Sequence, residues 1–185
     1  MFEGKYSSQE LGDISIKWMK GQALKKDAIV EEGCNQCIHY GELFTKYGPI
    51  IDKALSNTDV EPIRTSEYGD ILFPASDVTP DGLTKCSAIL EDGVILGGDI
   101  IAMRPRKDFN PAWISYAIRM QKDQLLSRVT GSVIRHISAK SLQTVAIPSP
   151  PIEEQNAFEK ILRQSDKSKY VNNVVRRFLC LTKIQ

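Results

Sequence analysis

The chain has 185 residues, 42% of them hydrophobic and 25% charged, with a formal net charge of +1. This ordinary globular composition suits one domain plus an appendage and can bury a core without disulfides. No stretch approaches the roughly 18 apolar residues of a membrane span, residues 1–20 lack the apolar run of a signal peptide, and four cysteines without a disulfide-rich spacing point to a reduced, cytoplasmic setting.

In chain order, the first signal is Gly12-Asp13-Ile14, which recurs as Gly69-Asp70-Ile71 and Gly98-Asp99-Ile100. Gly-Asp supplies a turn, and the apolar run after it predicts a strand. Strands are accordingly predicted from Ile14 to Trp18, over the ILFPA run after Asp70 and over the IIAM run after Asp99. Further strands are predicted at Gln36 to Tyr40, Val94 to Leu96 and Thr144 to Ile147, separated by turns such as Pro80-Asp81-Gly82 and Asp92-Gly93.

Asn110-Pro111 offers a cap and a first-turn proline for a helix. Ile114, Ala117, Ile118 and Leu125 form its apolar stripe, and Gly131 is its expected stop. A shorter helix is expected from the Ser138 cap over Ala139 to Gln143. Pro148, Pro150 and Pro151 end the last strand, and Pro151 can open a helix with Glu153 and Glu154 in its first turn. From there to Gln185 neither Gly nor Pro occurs, and Phe158, Ile161, Leu162, Val171, Val174, Val175, Phe178 and Leu181 line a stripe. Such a helix would be roughly 50 Å long and would pair with another long helix, although Ser165 and Ser168 interrupt the heptad. The alternative is a helix folded back on the domain. The predicted class is α+β: a strand-rich, irregular domain over residues 1–150, then a long helix over 151–185.

Charge is uneven. Residues 49–100 carry 3 basic and 10 acidic side chains (net −7), and residues 101–145 carry 8 and 2 (net +6). The basic segment either faces a polyanion or pairs with the acidic one across the fold. The sequence offers no catalytic constellation: its only histidines are His39 and His136, and GxSxG, HExxH, P-loop and GxGxxG motifs are absent. Cys34, Cys37 and His39 open the stretch GCNQCIHYGELFTKYG, but a structural zinc site needs a second ligand pair, and Cys86 and Cys180 stand alone. The cysteines therefore read as small apolar fillers at a strand edge, with no metal and no bound cofactor. Tyr40, Lys46 and Tyr47 in the same stretch suit nucleic acid. So does the loop from Arg128 to His136, which combines Gly131, small hydroxyls and guanidinium groups.

The segment Gly131 to Gln155, with its IPSPPIEEQ phrase before a helix, resembles the end of a target recognition domain in the specificity (S) subunit of type I restriction–modification systems. The Leu11-Gly-Asp-Ile opening, the polar Lys20–Lys26 loop and CIHYGELFTKYG are similar too. A full S subunit of that family has two recognition domains and two long helices, so this chain resembles a half-sized subunit or a fragment. The resemblance implies a non-catalytic reader of double-stranded DNA and, for a half subunit, homodimerisation through the C-terminal helix. It implies docking to methyltransferase (M) subunits that bind S-adenosylmethionine, with restriction (R) subunits joining the complex. On this reading Lys20, Lys25, Tyr40, Lys46, Tyr47, Arg104, Lys107, Arg128, Ser132, Arg135, His136 and Lys140 are the expected DNA contacts. Two alternatives compete: a scaffold module acting through its long helix, and a nuclease or transferase carried by the acidic segment.

Overall fold

The computed structural model describes residues 6–165. Their elements, in chain order, begin with β1 (Ser8–Glu10), α1 (Leu11–Ile14), β2 (Ser15–Lys20), β3 (Ile29–Val30), β4 (Asn35–Ile38), α2 (Glu42–Thr45), β5 (Ile50–Ile51) and β6 (Ser56–Thr58). Then come β7 (Ile71–Pro74), β8 (Ser76–Asp77), β9 (Ser87–Ile89), β10 (Ile95–Leu96) and β11 (Ile100–Pro105). The remainder is α3 (Pro111–Met120), α4 (Lys122–Leu126), β12 (Arg135–His136), α5 (Ala139–Gln143), β13 (Ala146–Pro148) and α6 (Ile152–Ser165).

The central sheet has the order β2-β11-β7-β9-β5, antiparallel except that β5 runs parallel to β9. Its middle strands bury both faces, which is why their sequences are continuous apolar runs rather than alternating ones. Ile71, Phe73, Ile101 and Met103 point to one core, shared with the helices. Their neighbours Leu72, Ile100 and Ala102 point to the other, shared with Ile38 and Leu96 of the second sheet. That second sheet has the order β10-β4-β6-β3. The two sheets meet where the chain leaves β2: Gly21 N–H donates to the Ile100 carbonyl (2.9 Å) and Gln22 N–H to that of Leu96 (2.8 Å). A side chain at Gly21 would lie 1.9 Å from the Gly97 carbonyl oxygen, so only glycine permits the crossing.

The α+β class is the one the sequence indicates, with three local differences. Leu11–Ile14 forms a helical turn where a turn into a strand was expected, because Leu11 and Ile14, three apart, both reach the core. The helix capped by Asn110 breaks at Gln121, and the bend before α4 returns Leu125 to the same core as Ile118. Third, the start of the C-terminal helix is part of the domain. Phe158 and Leu162 are buried, and the Phe158 ring meets Trp113 edge-on at 5.2 Å and Tyr116 at 5.4 Å. Gln155 Oε1 accepts from Asn110 N–H (2.9 Å), and Asn110 Nδ2 donates to Glu159 (2.8 Å). Burial pushes the Glu159 carboxyl up, but hydrogen bonds from Asn110 and Arg163 outweigh it and hold the group below the usual range. The predicted continuation of this helix to Gln185, and its pairing with another helix, lie outside the described residues.

Candidate nucleic-acid interface

Two open clefts share Lys20 and Asp99. The first, of about 490 Å³, is lined by Lys20, Lys25, His39 and Tyr40 together with the backbone at Gly21 and Gly98. The second, of about 460 Å³, has Trp18, Met19, Ile101 and Ile137 as its floor and Lys20, Asp99, His136 and Ser138 around it. Strand pairing creates this juxtaposition. Lys20 ends β2 opposite Ile101, while β12 pairs antiparallel with β8 and sets His136 opposite Ser76. Asp99 is the one carboxylate that lines these two clefts; it accepts from Ser76 Oγ (2.8 Å) and lies 3.8 Å from Lys20 Nζ. At 68% side-chain exposure, Lys20 keeps its charge largely in solvent.

The aromatic end of the first cleft is held from beneath. Glu42 is buried and accepts from the His39 backbone N–H (2.8 Å), from Ser56 Oγ and from Lys46 Nζ (2.6 Å). This fixes the turn on which the His39 and Tyr40 rings lie 4.6 Å apart. Phe44 meets Tyr40 edge-on at 6.2 Å.

The expected contact residues fall into three groups. Lys20, Lys25, Tyr40 and His136 line the joined clefts, and Ser132, Arg135 and Lys140 lie on the hairpin and helix that flank His136. Lys46, Tyr47, Arg104 and Arg128 are engaged within the chain. Lys46 neutralises Glu42, and Tyr47 Oη accepts from Leu55 N–H (2.9 Å). Arg104 donates twice to the buried Asp70 (2.9 and 3.1 Å) and also to Glu67, and the Asp70 bonds raise its pKa above the ordinary arginine range. Arg128 donates to Thr144 Oγ1 (2.8 Å) and to the carbonyls of Thr144 (2.7 Å) and Gln124 (2.6 Å). Lys107 stands alone in the third group, beyond Pro105 at the end of β11 remote from Lys20.

Sequence reasoning did not single out Trp18, His39, Asp99 or Ser138 as parts of one face. Ser138 was legible only as a helix cap, and its Oγ does accept from Ser141 N–H (3.1 Å). Cys37 is buried beside Leu24 and Ile95, whereas Cys34 is exposed with its N–H donating to Asp59 (3.1 Å). Among the described residues no group of His, Cys, Asp and Glu could hold a metal ion, and no helix is long and apolar enough to cross a membrane.

The chain is similar to known proteins in both sequence and fold. Over 159 residues the chain is 28% identical to the type I restriction enzyme MjaVIII specificity subunit of Methanocaldococcus jannaschii, covering 84% of this chain and 35% of that one. It thus spans about a third of that curated relative. The fold is similar to that of the HsdS subunit from Thermoanaerobacter tengcongensis (TM-score 0.60, 20% identity, 97% of this chain and 41% of that one). It is also similar to the S subunit of a type I restriction-modification system from M. genitalium (TM-score 0.60, 15% identity, 88% and 39%). Residues 5–175 match the family model of the type I restriction modification DNA specificity domain, and the chain belongs to that family.

Proposed function

We propose that the chain is a non-catalytic reader of double-stranded DNA, and that the joined clefts with the flanking basic hairpin form its DNA-facing surface. The observation that carries this reading is the convergence of Lys20 and Lys25, Tyr40, and His136, from three separate parts of the sequence, on one face. Lysines supply phosphate contacts, and the aromatic and imidazole groups between them reach toward base edges. Ser132, Arg135 and Lys140 extend the face. Lys46, Tyr47, Arg104 and Arg128 serve it from behind by fixing the elements that present it.

Membership of the specificity-domain family supports a place in a type I restriction–modification complex. There the chain docks methyltransferase subunits, which bind S-adenosylmethionine, and through the complex it meets restriction subunits. Such a complex works in the cytoplasm. Pairing of two copies through residues 151–185 would bring two half-site readers together. Reconstitution with methyltransferase subunits, followed by selection from a randomised duplex pool, is expected to recover one short bipartite motif. Recovery of no motif would contradict the reading.

A further inference from the structure

The hairpin between Thr130 and His136 holds apolar side chains out into solvent. Val133 is 81% exposed and Ile134 is 53% exposed. The β12–β8 register pairs His136 with Ser76 and Arg135 with Asp77, and Val78, 73% exposed, is the first residue after that pairing on the β8 side as Ile134 is on the β12 side. Three exposed β-branched side chains thus lie at or next to the end of this pairing.

The tip is built. Thr130 and His136 exchange backbone hydrogen bonds (2.9 and 2.8 Å), and Arg135 Nη1 donates to the Gly131 carbonyl (2.7 Å). Gly131 has φ +93°, and a side chain there would lie 2.2 Å from the Ile134 carbonyl oxygen. The loop is therefore fixed in a shape that only glycine at its entrance allows. Val133 and Ile134 gain little from burial in this shape, so folding alone does not account for their apolar character.

The segment that carries the tip is cationic. Between Asp123 and Glu153 the sequence carries no carboxylate, and Arg135, His136 and Lys140 flank the tip; on the facing strand Asp77 lies opposite Arg135 and accepts from Val78 N–H and Thr79 Oγ1. A protein-facing hot spot would need a patch on the order of 800 Å² around it, and three side chains do not make one. In a DNA groove the apolar group that base edges present is the thymine 5-methyl, in the major groove, and one or two side chains suffice to cover it.

We propose that Val133 and Ile134, with Val78 beside them, form an apolar reading tip that covers a thymine 5-methyl group in the major groove while the adjacent cations hold phosphates. This rests on the DNA-reading function proposed above and adds to it a chemical determinant of specificity.

The test begins with a duplex selected by the chain in complex with methyltransferase subunits. Each thymine is replaced in turn by uracil, which pairs identically but lacks the methyl. At one or two positions the replacement is expected to weaken binding about fourfold, the effect of one buried methyl. The V133S/I134S variant is expected to bind the thymine and uracil duplexes equally. Thermal unfolding of the variant checks that it still folds, and the ratio of its two affinities does not depend on how much of it is active. Four results would overturn the proposal while leaving DNA reading intact: a selected site without thymine, uracil tolerated everywhere, a variant that keeps the preference for thymine, or one whose only defect is weaker capture of the methyltransferase subunits. Failure to select any duplex would instead overturn the underlying function.

Discussion

Two buried thiols and one half-buried phenol hold their protons more tightly than free side chains do. Burial pushes the Cys37 and Cys86 thiols from about 9 to about 11 and the Tyr47 phenol from about 10 to about 12. The folded chain keeps these protons at pH values where the unfolded chain has released them. Stability is therefore insensitive to these groups below pH 9 and falls as pH rises, between 9 and 11 for the thiols and between 10 and 12 for the phenol. Each group adds a slope of up to about 1.4 kcal/mol per pH unit within its window. Urea denaturation midpoints should fall clearly between pH 8.5 and 10.5, and equal midpoints would contradict the assignment. The same residue scale explains Glu42 and Asp70. A buried carboxylate is tolerable only when donors surround it, and Lys46 and Arg104 meet that need. Both cations read as free for DNA in the sequence: the partner of Arg104 comes from a distant part of the fold, whereas Lys46 meets Glu42 four residues away only because the intervening residues form a helical turn around a carboxylate that the fold buries.

At the scale of elements, local signals were read well and non-local ones were not. Asn110-Pro111 capped a helix as expected, with Asn110 Oδ1 accepting from Ala112 N–H (2.9 Å), and Ser138 opened the helix Ala139–Gln143. The runs after Asp70 and Asp99 became the central strands β7 and β11. The two-residue strands β3, β5, β8 and β12 escaped, because their sequences carry no alternation and their pairing is set by distant partners. The change of element at the IPSPPI phrase is sharp, yet packing continues through it. Pro148 accepts from Trp113 Nε1 (3.1 Å), and Phe158 fills the space beside Trp113. Phe158→Ala should therefore destabilise the domain by about 3 kcal/mol or more. A chain ending at residue 150 should unfold at lower urea than one ending at residue 165. Equal stability of the two would show that α6 is only an appendage.

At the scale of the molecule, the charge asymmetry is partly internal and partly presented outward. The acidic segment supplies Glu67, Asp70 and Asp99 as partners for Arg104 and Lys20, so the pairing alternative holds for those cations. It does not account for the cationic run from Arg128 to Lys140, of which Arg128 is taken up by Thr144 and Gln124 while Arg135 and Lys140 flank the cleft. The sheet order separates the proposed face from a built-in control. Lys20 ends the edge strand β2, whereas Lys53 follows β5 at the opposite edge and Lys107 follows the far end of β11. The most direct test measures affinity for the selected duplex at several salt concentrations, comparing K20A/K25A with K53A/K107A. The first pair is predicted to weaken binding at least about tenfold and to lower the salt slope by about 1 per lysine, with the second pair within about twofold of the unmodified chain. Equal losses in both pairs, or a larger loss in the second, would contradict the placement of the DNA-facing surface.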